Sequence, residues 1–175
     1  TGSVPTYSYL WSNSEITEDI NNLPMGTYSV DITDANSCTT STSLTLTEPT
    51  PLQTTIIAST NYSGYDISCA GYNDGAINLT VTGSVPTYSY LWSNSEITED
   101  INNLPAGTYS VDITDANSCT TSTAFTLNEP TPLQTTITPS NYNGYNISCS
   151  GNSDGNIDLT VTGSTPTYSY LWNNG

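Results

Sequence analysis

Apolar and polar side chains alternate in several short segments of this chain. Residues 76–82 place Ile77, Leu79 and Val81 at every second position. The same alternation occurs in residues 52–58, 88–93, 107–114 and 120–128. A period of two puts one set of side chains on the buried face of a β-strand and the other set in solvent. Because no segment shows the 3.6-residue period of an amphipathic helix, the pattern predicts an all-β protein.

Short runs of turn-forming residues separate the predicted strands. They are Asn73-Asp74-Gly75, Gly83-Ser84, Pro105-Ala106-Gly107 and Asp115-Ala116-Asn117-Ser118. A weaker strand is predicted within residues 95–103, and Leu104–Tyr109 is predicted to form the corner that follows it. Six or seven short strands, with Trp92 on the third strong one, predict a small immunoglobulin-like β-sandwich.

The strand pattern recurs along the chain with a period of about 80 residues. Residues 1–50 and 82–131 differ at only four aligned positions, and a third copy begins at Thr162. We therefore predict the C-terminal part of one repeat in residues 1–50, a complete repeat in 51–130 and the N-terminal part of the next in 131–175. This frame is typical of a segment of a longer protein. The short Glu-Pro-Thr-Pro linker predicts repeats arranged end to end with limited swing.

The charge of the chain is entirely negative. It has 16 acidic residues and no Lys, Arg or His, which gives a net charge of −16. Such a chain cannot neutralise phosphates, so nucleic acid is excluded as a partner, and anionic membrane surfaces repel it. It also has no apolar run long enough to insert into a membrane. Two interpretations remain open, namely mutual repulsion that keeps an array soluble and extended, or neutralisation by divalent cations.

The same composition excludes most enzyme mechanisms. Without His or Lys there are no Ser-His or Cys-His nucleophile pairs and no Schiff bases. A carboxylate pair remains, with Asp112 and Asp115 as its candidates. Because one active site repeated in near-identical copies along an array is implausible, we predict that the chain is not an enzyme.

Two classes of cysteine recur in the repeats. Cys69 and Cys149 lie in the loop after the first predicted strand, whereas Cys38 and Cys119 lie in the last turn. All four are candidates for disulfide bonds, which are common in secreted domains of this size. An immunoglobulin-like topology puts the two classes at opposite ends of a domain. A bond between Cys69 and Cys119, a bond between adjacent repeats and free thiols all remain open.

Oxygen ligands suited to Ca²⁺ also gather in the predicted loops. Asp112, Asp115 and Asn117 lie near the last turn, Asp74 precedes the second strand, and Glu129 begins the linker. One interpretation is a Ca²⁺ site at the junction of two repeats. The other is that these side chains only stabilise tight turns, since none has the EF-hand spacing. No other cofactor is predicted.

The aromatic residues fall into two groups. Trp92, Tyr90 and Tyr109 alternate with polar residues and are predicted to lie in the core. Tyr62, Tyr65 and Tyr72 flank glycines in loop-like sequence. They either pack over the end of the sandwich or bind a glycan or protein partner.

Four motifs identify a family resemblance. They are CAGYNDGAI from Cys69, TVTGSVPTYSYLWSN from Thr80, LPAGTYSVDITDANSC from Leu104 and a terminal Glu-Pro. In these motifs the chain resembles the SprB repeat, found in very large surface adhesins of gliding Bacteroidetes-type bacteria. The resemblance implies an immunoglobulin-like or PKD-like domain, type IX secretion and a role in adhesion and gliding. The family has glycines where this repeat has Ser84-Val85 and Ser95, whereas Trp172–Gly175 keeps the family form.

Three functions follow as hypotheses. The first is a structural and adhesive segment of a filamentous adhesin at the bacterial cell surface, whose partners are neighbouring repeats and an unidentified surface polysaccharide or protein. The second is an extracellular filament or matrix subunit that assembles laterally. The third is a tandem carbohydrate-binding module.

Overall fold

The computed structural model describes residues 6–173, so Asn174 and Gly175 of the last motif lie outside the described residues. Eleven β-strands and no helix occur in this range. The chain divides into two compact units, Thr1–Thr50 and Pro51–Gly175. In the first unit, β1 (Ser8–Trp11), β2 (Gly26–Thr33) and β3 (Thr39–Leu46) form one antiparallel sheet in that order.

The second unit contains a sandwich of two antiparallel sheets. Its strands are β4 (Gln53–Ala58), β5 (Gly75–Thr82), β6 (Ser89–Trp92), β7 (Ile101–Leu104), β8 (Gly107–Thr114) and β9 (Thr120–Leu127). One sheet has the order β4-β5-β7 and the other the order β6-β8-β9. This division of strands is that of an immunoglobulin-like fold, which confirms the predicted fold class.

The inner faces of the two sheets form the core of the complete repeat. β5 contributes Ile77, Leu79 and Val81, all nearly inaccessible to solvent, as the alternation in the sequence predicts. The facing sheet contributes Trp92, Tyr109, Val111, Ile113 and Leu127. Fully burying one such side chain stabilises the folded state by roughly 1.5–3 kcal/mol. The alternation therefore defines which face of each strand is buried. Burial of these apolar side chains provides most of the driving force for folding.

Two hydrogen bonds fix the large aromatic side chains of this core. The Trp92 indole N–H donates to the carbonyl of Thr98 at 2.9 Å. The Tyr109 hydroxyl donates to the carbonyl of Pro105 at 3.0 Å. This second bond closes the corner between β7 and β8 and is the tyrosine corner of immunoglobulin-like domains. The corner predicted at Leu104–Tyr109 is thus present.

The strand predicted within residues 95–103 is shorter and later than expected. Only Ile101–Leu104 pairs with β5, and residues 94–100 cross between the sheets without strand structure. The Asp100 carboxylate accepts the backbone N–H of Leu79 at 2.9 Å. Because this side chain takes the place of a backbone acceptor beside β5, ladder pairing begins only at the next residue.

One core residue lies in a loop and has no periodic signal. Ile67 is fully buried although it belongs to the loop between β4 and β5. A Cβ atom placed on Gly75 would overlap the Ile67 Cδ1 atom and come within 2.9 Å of the Leu104 carbonyl oxygen. Gly75 was predicted as a turn residue, but it begins β5 and leaves the space that Ile67 fills.

A third sheet of the unit Pro51–Gly175 contains only two strands. They are β10 (Gln134–Pro139) and β11 (Ile157–Thr162), which pair antiparallel. Tyr168–Trp172 has the same sequence as residues 88–92, which include β6, but does not form a strand. Ile20–Leu23 likewise has the sequence of β7 and is not a strand. Both segments lack the neighbouring strand that their counterparts have.

We predict that Gly75→Ala destabilises the complete repeat by about 1–3 kcal/mol, because the added methyl group overpacks the core against Ile67 and a backbone carbonyl. Urea unfolding of the whole chain measures this. Adding Ile67→Val removes the overlapping Cδ1 atom, so the double variant should recover part of the loss.

The matched control is Gly155→Ala, whose added methyl group meets Ile147. Ile147 is 40% exposed and has room to move, so this change should have little effect. Equal losses for Gly75→Ala and Gly155→Ala would contradict the packing argument.

Candidate functional site

The predicted site residues lie at the two ends of the complete repeat. The loop 59–74 and residues 128–130 form one end, here called the linker end. The loop 83–88 and the turn 115–119 form the other, called the turn end. Because these loops precede and follow the same eight-residue strand β5, the ends are separated by roughly 25 Å.

Asp115 organises the turn end. Its Oδ1 atom accepts the backbone N–H groups of Asn117 at 2.9 Å and Cys119 at 2.7 Å. Its Oδ2 atom accepts the Ser84 hydroxyl and the Val85 N–H, the latter at 3.2 Å. Asp115 is 5% exposed, so its charge is buried at this end of the sandwich. One carboxylate thus closes its own turn and ties it to the loop between β5 and β6.

These donors lower the pKa of Asp115. The Ser84 hydroxyl has the largest effect, and the backbone N–H groups act in the same direction against the opposing effect of desolvation. Ser84 itself has φ of 49°, in the left-handed region that favours glycine. A glycine would adopt this φ without strain. In this chain the Ser84 hydroxyl bond to Asp115 offsets the backbone strain.

A similar arrangement holds the loop at the linker end. The Asp74 carboxylate accepts both the hydroxyl and the backbone N–H of Ser68, the latter at 3.1 Å. The pKa of Asp74 is lowered, chiefly by the Ser68 hydroxyl. Asp154 and Ser148 repeat the same contacts in the next copy. This pair fixes the loop residues that flank Ile67.

The end of β9 is bonded to the same loop. Asn128 donates its backbone N–H to Asp66 Oδ2 at 2.8 Å, and its carbonyl accepts the Asp66 N–H at 2.9 Å. Glu129 Oε2 accepts the N–H of Gly71 at 2.7 Å. Gly71 has φ of 78°, so its glycine identity permits the turn that presents this N–H. These hydrogen bonds therefore fix the start of the linker to the loop at the linker end.

The five predicted calcium ligands are not brought together. Asp74 and Glu129 lie at the linker end, whereas Asp115 and Asn117 lie at the turn end. Asp112 is exposed on the outer face of β8, opposite Ser122. Within residues 6–173, no three His, Cys, Asp or Glu side chains form a group that could hold a metal ion. In the structure the Asp74, Asp115 and Glu129 carboxylates accept protein hydrogen bonds.

The cysteines are unbonded in the described part of the chain. Cys69 is half-buried at the linker end, and Cys119 is exposed at the turn end. The structure thus contains no Cys69–Cys119 bond, since the two residues lie at opposite ends of the sandwich. Cys38 and Cys149 are also free and exposed.

The aromatic residues divide largely as predicted. Trp92 and Tyr109 are buried in the core, and Tyr90 is half-buried against it. Tyr62 and Tyr65 pair across a tight turn in which Ser63 and Gly64 have positive φ. Tyr62 and Tyr72 remain exposed on the surface at the linker end.

A comparison with protein families finds one family that matches this chain at two places. The SprB repeat model matches residues 65–96 and 141–175. Two segments of this chain thus match the SprB repeat. The predicted resemblance is therefore confirmed, and the first match spans the Ser68–Asp74 contact, β5 and β6. The matched segment therefore contains both residues of the loop at the linker end and the core tryptophan, Trp92.

Other comparisons add less. The structure of an amphioxus IgVJ-C2 molecule shares 17% sequence identity at a TM-score of 0.32, covering 73% of this chain and 91% of that chain. No curated protein matches the chain. Within residues 6–173, no helix is long and apolar enough to cross a membrane.

We predict that Asp115→Asn lowers the melting temperature at pH 7 by several degrees, because an amide nitrogen cannot accept the Ser84 and Val85 donors. Since the folded pKa of Asp115 is lowered, its contribution is present above the ordinary aspartate pKa of about 3.9. It is lost as the pH falls through the lowered pKa. The difference between native chain and variant should therefore shrink below about pH 4.

Asp112→Asn makes the same charge change on the exposed face of β8 and is the matched control, with little effect expected. The loss at Asp115 should be equal in Ca²⁺ and in EGTA. A loss that appears only with Ca²⁺ would instead assign Asp115 to a calcium site.

Proposed function

We propose that this chain is a structural and adhesive segment of a large filamentous adhesin at the bacterial cell surface, with a role in surface attachment and gliding. The two SprB matches support a repeat of a surface adhesin. The immunoglobulin-like fold and the absence of His and Lys support a structural role over an enzymatic one.

The observation that carries this proposal is the joint between the complete repeat and the next one. Glu129 is bonded to Gly71 of the complete repeat, and Pro130 is fully buried. The next residue, Thr131, accepts the backbone N–H of Ser164 at 2.7 Å with its carbonyl. Glu129, Pro130 and Thr131 are thus each hydrogen-bonded or buried. A joint without a free linker residue favours a stiff stalk.

A glycine lets the first residues of the next repeat pack closely against a loop of that same repeat. A Cβ atom on Gly163 would overlap the carbonyl oxygen of Pro132, and Gly163 has φ of 81°. Only glycine allows this approach without strain. The backbone of residues 131–132 therefore lies directly against the loop that follows β11.

Charge supports the same function. The 16 acidic residues have no basic partner within the chain, so successive repeats repel one another and favour an extended array. The proposed location is extracellular, with export by type IX secretion. The proposed partners are neighbouring repeats of the same chain and a surface polysaccharide or protein.

An antibody raised against this chain tests the function. On intact cells that display the parent protein, we expect it to label surface filaments and to reduce attachment and gliding several-fold. A Fab fragment of the same antibody separates blocking from cross-linking. Labelling that requires permeabilised cells would reject the location, and labelled cells that still attach and glide normally would reject the adhesive role.

The joint generates a separate prediction. Inserting Gly-Ser-Gly-Ser between Pro130 and Thr131 should let β10–β11 tumble independently of the complete repeat, because the two bonded ends are then separated by flexible residues. Backbone ¹⁵N relaxation measures the two correlation times. The same four residues appended after Gly175 are the control and should leave them equal. Independent tumbling in the native chain would contradict the stiff joint.

A further inference from the structure

A polar cleft, here called the β7 cleft, lies on the surface of the complete repeat. It has a volume of about 630 Å³ and is lined by β7, by the segment 94–100 and by the corner that leads to β8. Both sheets of the sandwich are present around it, so the cleft belongs to the folded repeat. Its size falls within the range of small-ligand sites, which is roughly 300–1,000 Å³.

A β-bulge in β7 builds one wall of the cleft. Asn103 lies where the pairing with β5 shifts register, between Gly75 and Ala76. It has φ of 56°, in the left-handed region that asparagine tolerates better than most residues. The extra residue places Asn102 and Asn103 together on the exposed side of β7, while the residues on either side of them stay buried.

The two asparagines at the bulge are bonded to each other. Asn103 Nδ2 donates to Asn102 Oδ1. This bond uses only part of the capacity of each amide, so both keep donor and acceptor positions for a ligand. Asn22 and Asn21 form the same bond in the first unit, at 2.6 Å, and Asn22 also has φ of 56°. The local sequence therefore produces the amide pair in both copies.

The core tryptophan holds the other wall in place. Every second side chain of this wall, Glu96, Thr98 and Asp100, lines the cleft. The Trp92 backbone N–H donates to the Glu96 carbonyl at 2.9 Å, and its indole N–H donates to the Thr98 carbonyl at 2.9 Å. The wall is thus ordered before a ligand arrives, which reduces the entropic cost of binding.

The lining chemistry matches a neutral glycan. Amides beside carboxylates can donate to one hydroxyl group and accept from its neighbour, and a sugar ring presents such adjacent hydroxyl groups. Pro105 and Tyr109 add apolar surface to the lining. Glu96 and Asp100 repel anionic ligands, and the chain has no basic residue to offset them. Within residues 6–173, no three acidic side chains form a group that could hold a metal ion, so direct binding of the glycan is favoured.

We propose that the β7 cleft binds a neutral surface polysaccharide, with Asn102, Asn103 and Glu96 as the residues that bond its hydroxyl groups. The proposal rests on the adhesive function proposed above, for which it supplies a binding site. A single cleft with few hydrogen bonds binds weakly. Because the same segment recurs about every 80 residues, an array gains strength from many such contacts.

Binding of the whole chain to immobilised polysaccharides, measured by surface plasmon resonance, tests the proposal. The neutral probes are mannan, dextran and galactan, and heparin is the anionic control. We expect at least one neutral probe to bind, equally in Ca²⁺ and in EGTA, and heparin not to bind. Absence of binding to all three neutral probes, binding that requires Ca²⁺, or binding to heparin alone would overturn the proposal.

Substitutions at the amide pair locate the site. Because residues 21–22 carry the same pair, each variant changes both copies. Asn102→Ala with Asn21→Ala removes one amide, and Asn103→Gly with Asn22→Gly removes the other while permitting the positive φ. Each variant should weaken binding about tenfold, since a buried hydrogen-bonding group of the ligand loses its partner.

Asn117→Ala with Asn36→Ala is the matched control, because it makes the same chemical change at an exposed turn in both copies. It should bind as the native chain does, and the melting temperatures of all variants should stay close to the native value. Equal weakening in the control, or native binding after removal of both amides, would overturn the assignment to the β7 cleft.

The outcomes also separate this proposal from the adhesive function. If the antibody blocks attachment but no neutral probe binds, the cleft proposal fails and the adhesive function stands with another partner. If a neutral probe binds through the amide pair but labelled cells attach normally, the cleft proposal stands and the adhesive role fails.

Discussion

The short strands β6 and β7 each depend on a neighbour that is distant in the sequence. The chain shows this directly, because Ile101–Leu104 is a strand beside β5, whereas the identical residues Ile20–Leu23 are not a strand. Tyr168–Trp172 shows the same for the strand that contains the core tryptophan. Local β-propensity is equal in each pair, so pairing and burial decide the structure. The sandwich therefore forms as one unit of two sheets around one core.

This dependence explains which parts of the fold could be predicted from sequence. Alternation identified five of the six strands of the complete repeat and the buried face of each, because it records burial directly. It could not place β7, whose start is set by the Asp100 side chain. It also could not find Ile67, since a single apolar residue in a loop has no period. The packing role of Gly75 has no sequence signal either. The space beside Gly75 is filled by the Ile67 side chain, which belongs to the preceding loop.

The sequence left the roles of the acidic residues open between two interpretations, and the lack of basic residues explains why. A carboxylate in a turn-rich segment can either bind a metal ion or accept hydrogen bonds from the turn. The sequence pattern is the same in both cases. In a chain without Lys or Arg, ordered carboxylates accept hydrogen bonds from N–H and hydroxyl groups of the loops. Asp115, Asp74 and Glu129 all accept such bonds. The residues singled out as ligands are thus the residues that hold the two ends of the domain.

These end contacts also bear on the proposed role as a stalk. In that role, tension would enter the complete repeat at β4 and leave it after β9, from opposite ends of the sandwich. Antiparallel pairing of β4 with β5 resists such a pull along its whole register. At the exit, Asp66 and Gly71 bond Asn128 and Glu129 to the loop between those same two strands. In the proposed stalk, load leaving through the linker would therefore be shared with the β4–β5 hairpin, and the contacts that hold the linker would also protect the domain.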